Sequence, residues 1–422
     1  MCSDKSALAT PGPHQQKTMS ELPVVISRDK PRVPAEECPP VVRIQKMIFE
    51  EAAALDASDV HIEPGSGATR VRYRVNGVLR ESLEIPKWMH ENLVVRIKVL
   101  AKLDMSERRI PQDGHITVGD SNGMDIRVSI LPTRWGEKIV IRILRRGRSL
   151  MTLAQLGFQS GIEERLHALI RRPQGMLLTV GPTGSGKTTT LYAFVNEIRQ
   201  EPINVVTIED PVEYEVAGIS QVPVNEKTGL TFSKALRSIL RQDPDVILVG
   251  EIRDSDTAVT AFHAAMTGHL VMSTLHATDA ISALLRLSEL GVDKTVLASA
   301  LIGVVAQRLV RLNCAACAEP DYPRPIYLQH LGIDESRQHQ LRLSKGCEMC
   351  ASSGSRGRIG VYELMEISPR LRNTILSGSE FEIRDAARDS GFVSMARQAV
   401  DLVLAGEVSV REAYRTCYVG AE

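Results

Sequence analysis

The sequence predicts an α/β protein with a mostly parallel sheet, preceded by a smaller α+β domain, on three observations. Between Gly175 and Leu275, strand-length apolar runs alternate with turns and amphipathic stretches: "GMLLTV", "NVVTIED", "DVILVGE" and "HLVMSTL". Continuous apolar strands suit a parallel sheet covered by helices on both faces, with ligands at the carboxyl ends. Between Ala57 and Leu144 the pattern is alternation of apolar and polar residues, in "ASDVHIEP", "TRVRYRVNGVLRE", "MDIRVSIL" and "KIVIRIL". Finally, the glycine-rich "GPTGSGKTTT" directly follows the first apolar run and precedes the helical "LYAFVNEIRQ".

Taken in order, residues 1–39 are rich in Pro, Ser and charge without periodicity, and read as a flexible tail. Order is expected from Pro40, where Val41, Ile44, Ile48, Ala52 and Leu55 recur at helical spacing. Asn76-Gly77 between two alternating runs signals a hairpin, and Glu91–Leu103 reads as a helix. The α+β domain is placed at residues 40–146, a linker at 147–160 and the α/β domain at 161–422. From about Asp279 onward the pattern reads as helical, interrupted by a cysteine segment at 314–350.

Composition limits the function classes. The 422 residues carry 51 basic and 51 acidic side chains, so the whole-chain field attracts neither nucleic acid nor an anionic membrane. With 4% aromatic residues there is little material for a base-stacking groove, and no nucleic-acid partner is expected. No apolar run reaches the roughly 18 residues of a membrane span, and "MCSDKSALATPGPHQQK" lacks the apolar centre of a signal peptide, so the expected location is cytoplasmic. Of seven cysteines, four form two close pairs.

The opening motif fits G-x-x-x-x-G-K-[ST] with Gly181, Gly186, Lys187 and Thr188. Its glycines let successive N–H groups face phosphate oxygens, and the following helix N-terminus adds positive potential. The nucleotide contacts are expected from Gly181, Pro182, Thr183, Gly184, Ser185, Gly186, Lys187, Thr188 and Thr189. Lys187 should reach the β- and γ-phosphates of ATP, and Thr188 should bind Mg²⁺. A chance match is the alternative, disfavoured by the strand before and the helix after.

Glu251 ends "ILRQDPDVILVGE", where a carboxylate can hold the magnesium shell; in isolation it is a polar residue at a strand end. The cluster Glu209, Asp210 and Glu213 in "TIEDPVEYE" would be a solvated loop without context. Beside a phosphate loop, one of these carboxylates can orient attacking water. Cys314, Cys317, Cys347 and Cys350 form two C-x-x-C pairs able to give Zn²⁺ four thiolates, with disulfides or unpaired thiols as the alternative.

Together, "GPTGSGKTTTLYA", "TIEDPVE", "LRSILRQDPDVILVGEIRD" and "TGHLVMSTLHATDA" resemble the Walker A, Asp box, Walker B and His box of the secretion ATPases, closest to type II secretion and type IV pilus assembly motors. "ASDVHIEP" and "RRIPQDGHI" are similar to that family's preceding domain, so the resemblance covers roughly residues 41–415. It implies a RecA-like P-loop ATPase domain behind a PAS-like α+β domain, with a zinc-binding insertion and a helical C-terminal part. Glu209 would be the general base or water-orienting residue, Glu251 the Walker B carboxylate, and His276 the γ-phosphate sensor with His269 beside it.

The resemblance also implies a homohexameric ring in which the smaller domain supplies arginines. Arg127 matches that position, and Arg237 and Arg241 match the other basic pair, whose bland alternative is an exposed helix face. Where the family often has arginine, this chain has His115. Implied too are an inner-membrane platform protein as partner and a peripheral position on the cytoplasmic face of that membrane. Members usually carry a further N-terminal docking domain, for which residues 1–39 are too short and polar. The expected function is an ATP-driven motor for pilus or pseudopilus assembly; a retraction motor, a nucleic-acid translocase and a non-catalytic nucleotide-binding scaffold are the alternatives.

Overall fold

The structure is a computed structural model and describes residues 39–118, 124–145, 150–199, 202–389 and 391–417. They fall within one unit, Cys38–Glu422. The tail expected over residues 1–39 lies, apart from Pro39, outside the described residues, as does the start of the expected linker.

Six strands build the first sheet: β1 Asp59–Pro64, β2 Ala68–Val75, β3 Val78–Pro86, β4 Gln112–Val118, β5 Met124–Thr133 and β6 Gly136–Arg145. Their order is β3-β2-β1-β6-β5-β4, antiparallel throughout. The turn between β2 and β3 has Asn76 at φ 50° and Gly77 at φ 81°, the left-handed pair that matches strand twist. Helices Pro40–Ala54 and Lys87–Leu100 cover the sheet and bury Ile48, Ala52, Leu93 and Ile97 against it. The second helix starts four residues ahead of the expected Glu91, because Pro86 opens it directly after β3.

The second sheet holds β7 Gly175–Val180, β8 Val205–Glu209, β9 Ser220–Pro223, β10 Val246–Val249, β11 Leu270–Leu275, β12 Leu301–Asn313 and, after the short hairpin β13 Ala318–Pro320 and β14 Arg342–Ser344, β15 Ser355–Glu366. The order is β15-β12-β7-β11-β10-β8-β9, parallel except for β15. Every residue of β7 is buried, and alternate side chains enter different cores: Met176, Leu178 and Val180 on one face, Leu177 on the other. This two-faced burial is why the strand reads as one apolar run.

Two expectations are corrected. The region after Asp279 is not simply helical, since β12 and β15 lie within it as long strands paired over most of their length. Leu, Ala, Gln and Arg in "LIGVVAQRLVRLN" favour a helix locally, but the free edge of β7 pairs with this segment and overrides that propensity. The stretch read as a linker is folded in its second half: Thr152 and Gln155 make a capping box on helix Leu153–Leu156, whose Leu156 carbonyl accepts from Tyr362 Oη at 2.9 Å.

Candidate functional site

At the carboxyl ends of the parallel strands lies a cavity of about 500 Å³ lined by Thr183, Lys187, Thr188, Glu209, Glu251 and His276. Four segments distant in sequence converge there because their strands are neighbours in the sheet. The phosphate loop follows β7, Glu209 ends β8, Glu251 lies two residues past β10, and His276 follows β11.

The phosphate loop needs its glycines. Gly181 has φ 153°, and a Cβ there would sit 2.6 Å from both the Gln307 carbonyl oxygen and Ser185 Oγ. Gly186, at φ 90°, is the N-cap of helix Lys187–Ile198, so the helix N-terminus opens onto the cavity. Ser185 Oγ is buried without a hydrogen-bond partner in the phosphate loop. Lys187 Nζ donates to the carbonyls of Gly181 at 2.9 Å and Pro182 at 3.1 Å. Burial holds the Lys187 ammonium below the usual lysine range, with Glu251 opposing and Arg308 adding to the shift.

Glu209 is 4% exposed and takes three side-chain donors: Tyr192 Oη at 2.5 Å, Thr207 Oγ1 at 2.6 Å and Gln221 Nε2 at 3.2 Å. Glu251 pairs with Arg253 at 2.6 Å and lies 3.9 Å from His276 Nε2. Arg253 also lies 3.9 Å from Asp210. Burial lowers the His276 pKa, Lys187 and Arg253 lower it further and Glu251 opposes, so a neutral imidazole faces Glu251 at pH 7.

Other expected residues are elsewhere. His269 precedes β11 at its opposite end, with Nδ1 3.1 Å from the Ala264 carbonyl, and is therefore remote from His276. Arg237 is exposed, 3.9 Å from Asp256, and Arg241 Nη1 donates to the Arg237 carbonyl; neither lines the cavity. Arg127 on β5 bonds Glu213 at 3.2 Å in a neighbouring cleft that also holds His115, Pro211 and Val212. That pair ties the first sheet to the acidic loop after β8.

Sequence reasoning missed Arg253, Tyr192, Gln221, Gln307 and Arg358. Tyr192 lies four residues after Thr188, hence on the same helical face, and that spacing was the available signal. Gln307, whose Nε2 donates to the Ser185 carbonyl at 2.7 Å, and Arg358, which lines the cavity, lie on the two strands not foreseen.

The four cysteines meet. Cys314 and Cys347 sulfurs are 3.9 Å apart, Cys317 and Cys350 4.0 Å, and Cys347 and Cys350 3.8 Å, with all four within 4.8 Å of one another. A tetrahedral shell with metal–sulfur bonds of about 2.3 Å separates its sulfurs by about 3.8 Å, so the cluster fits Zn²⁺. Burial opposes ionisation of Cys350, yet the Cys347 and Gly354 amides donating to its sulfur, each at 3.2 Å, bring the thiol down to about 6. Between the pairs, Leu328, Leu331, Ile333 and Leu341 anchor the insertion in the main core. Among the described residues no helix is long and apolar enough to cross a membrane.

Residues 34–415 match the family model described as type II/IV secretion system protein. The chain is 42% identical over 386 residues to type II secretion system protein E of Aeromonas hydrophila, covering 90% of this chain and 76% of that one. It is also 42% identical over 371 residues to the type IV pilus assembly ATPase PilB of Thermus thermophilus, covering 87% of this chain and 42% of that one. Among solved structures, the pilus retraction motor PilT with bound ADP aligns with a TM-score of 0.61 at 26% identity, over 90% of this chain and 97% of that one. The ATPase DotB of Legionella pneumophila, at 20% identity and a TM-score of 0.67 over 91% and 97%, shares the fold.

Proposed function

The chain belongs to the type II/IV secretion system protein family, and from that premise we propose that it hydrolyses ATP to drive assembly of a type IV pilus or a type II secretion pseudopilus. The observation that carries the reading is the convergence of Lys187, Glu209, Glu251 and His276 on one cavity at the strand ends. The order of the parallel strands suits the RecA-like description of the second domain; the PAS-like description of the first remains part of the proposal.

Amides of residues 181–189 and Lys187 bind the ATP phosphates. Thr188 and Glu251 would hold Mg²⁺, which when bound neutralises phosphate charge. Glu209, held by three donors, orients water, and His276 contacts the γ-phosphate. Arg127 would leave Glu213 to serve nucleotide as the domains move, while Arg237 and Arg241 would act across a ring interface, since neither reaches the cavity of its own chain. The four cysteines hold one structural Zn²⁺. The ring is a homohexamer on the cytoplasmic face of the inner membrane, against a platform protein.

Phosphate release from purified protein, alongside fibre assembly in cells whose chromosomal copy carries Lys187→Ala, tests this. ATP turnover by the wild type and loss of fibres in the variant at normal protein level are expected. Fibres assembled normally by the variant would overturn the motor reading.

A further inference from the structure

The His276 loop is held only in part by apolar packing, through Ala277, Ala280 and Ile281 on the main core. Thr278 and Asp279, just after His276, line a cavity of about 360 Å³ rather than a filled core. Within itself the turn is stiff: Asp279 caps the next helix at the amides of Ile281 and Ser282, and Ser282 Oγ accepts from the Asp279 amide at 3.0 Å. Beside that packing, a pair of polar side chains ties this stiff unit to the sheet. Arg308 on β12 donates from Nη2 to the Thr278 carbonyl at 2.6 Å. Glu363 on β15, 5% exposed, accepts from the Ala280 amide at 2.8 Å.

The same stretch of β12 also reaches the phosphate loop. Gln307, adjacent to Arg308 and on the other face of the strand, donates to the Ser185 carbonyl at 2.7 Å, and its own carbonyl accepts from Arg308 Nη1 at 3.2 Å. Consecutive residues of one strand thus hold the loop that carries Lys187 and the loop that carries His276. Both residues are paired with β15, at Tyr362 and Val361, so neither contact can shift far without the other.

We propose that Arg308 and Glu363 are positioning residues that set the His276 loop against the phosphate loop, acting through His276 rather than on nucleotide. Losing either tether leaves the phosphate loop intact and lets the His276 loop move into the cavity behind it. Nucleotide affinity therefore survives while turnover falls, because the γ-phosphate contact is made only when the loop is in place.

Two arms test this, of which the rate arm rests on the ATPase reading. Arg308→Ala and Glu363→Ala should each lower kcat by about tenfold with ATP affinity within about twofold, and Glu363→Gln, which keeps an acceptor, should fall between Glu363→Ala and the wild type. In a His276→Ala background neither alanine substitution should lower kcat further; losses that multiply there would overturn the proposal. The second arm is amide hydrogen exchange on nucleotide-free protein. Residues 278–282 should exchange at least about tenfold faster in both alanine variants, with helix Lys187–Ile198 unchanged. Wild-type protein without turnover would sink the ATPase reading and leave exchange to decide this one, and unchanged exchange at Ala280 in both variants would overturn it.

Discussion

The Tyr192 hydroxyl donates to Glu209 Oε2 at 2.5 Å, from the second turn of the helix that the phosphate loop caps. Burial and then the Glu209 carboxylate push the Tyr192 pKa far above its ordinary value, so the phenol keeps its proton and remains a donor at any physiological pH. The helix after the phosphate loop and the carboxylate proposed to orient water are thereby coupled by one hydrogen bond. Removing it in Tyr192→Phe releases about 1 kcal/mol of orientation, so kcat should fall roughly fivefold with ATP affinity unchanged. Single-turnover phosphate release against equilibrium binding of ATP checks the split; a loss confined to affinity would count against a role for Glu209 in the chemical step.

Glu251 and Lys187 should fail differently. Glu251→Gln keeps the shape of the site and removes a negative charge 2.6 Å from Arg253, so ATP binding is retained while turnover drops at least about tenfold. Lys187→Ala takes a cation from beside the phosphates and should weaken binding itself. Titration with a fluorescent ATP analogue separates the two, and equal affinity in Lys187→Ala and the wild type would remove Lys187 from the phosphate site.

How much was legible follows from where each residue sits. Glu251 could be read because it closes a buried apolar run, and strand ends in a parallel sheet are where ligands bind, whereas Glu209 and His276 were singled out by the resemblance to the secretion ATPases. The cysteines were legible because a C-x-x-C pair brings its own geometry. Arg308 and Gln307 were not, since β12 carries helix-forming residues and becomes a strand through pairing with β7 and β15, and Glu363 was not, since its strand β15 was read as part of a helical region. Gln221 reaches Glu209 from β9, twelve residues away in sequence, and no local pattern announces that contact. The placement of Arg237 and Arg241 outside the cavity is equally invisible to sequence, because a ring interface and an exposed helix face have the same composition.

Arg127 and Glu213 form a half-exposed ion pair, worth at most about 1 kcal/mol of stability. Arg127→Ala should therefore leave the melting temperature nearly unchanged. If the arginine serves nucleotide after domain motion in a ring, turnover should nevertheless fall more than about tenfold, and wild-type specific activity should rise with protein concentration as rings form. Light scattering beside an ATPase titration provides the measurement. Full specific activity in a demonstrated monomer would defeat the ring interpretation.

Glu363 makes stability depend on pH. Burial raises its pKa from 4.5 to about 7, restrained by the Ala280 and Met395 amides and by Arg308, while Asp279 adds to the rise. The charged or titratable groups around it are Asp279, Arg308, Arg384, Arg388 and Cys417. Between pH 4.5 and 7 the unfolded chain has lost this proton and the folded chain keeps it, so the folded state binds more protons and stability falls as pH rises through that window. The contribution is about 3 kcal/mol, present below pH 4.5 and gone above pH 7. Relative to Glu363→Gln, which cannot titrate, the wild type should lose that amount between pH 4.5 and pH 8 in denaturant unfolding; parallel pH profiles for the two proteins would contradict it.

The cysteine cluster gives the last expectation and links it to the first domain. Directly after Cys350, Ala351 and Ser352 adopt left-handed backbone at φ 47° and 60°, and the Ala351 carbonyl accepts from Arg80 on β3 at 2.6 Å. Neither residue is glycine, and four sulfurs drawn onto one metal ion would help to hold that conformation. One Zn²⁺ per chain with four sulfur ligands should be found by metal analysis and X-ray absorption. Cys347→Ser should lose the metal, speed amide exchange across residues 314–350, and speed it also at Arg80 and its β3 neighbours, because the Ala351 acceptor is no longer held. Nucleotide affinity should stay within about twofold, since none of the four cysteines lines the phosphate cavity. Absence of zinc from protein purified without chelator would sink the metal assignment, whereas zinc present with unaltered exchange at β3 in Cys347→Ser would leave the metal in place and break only its link to the first domain.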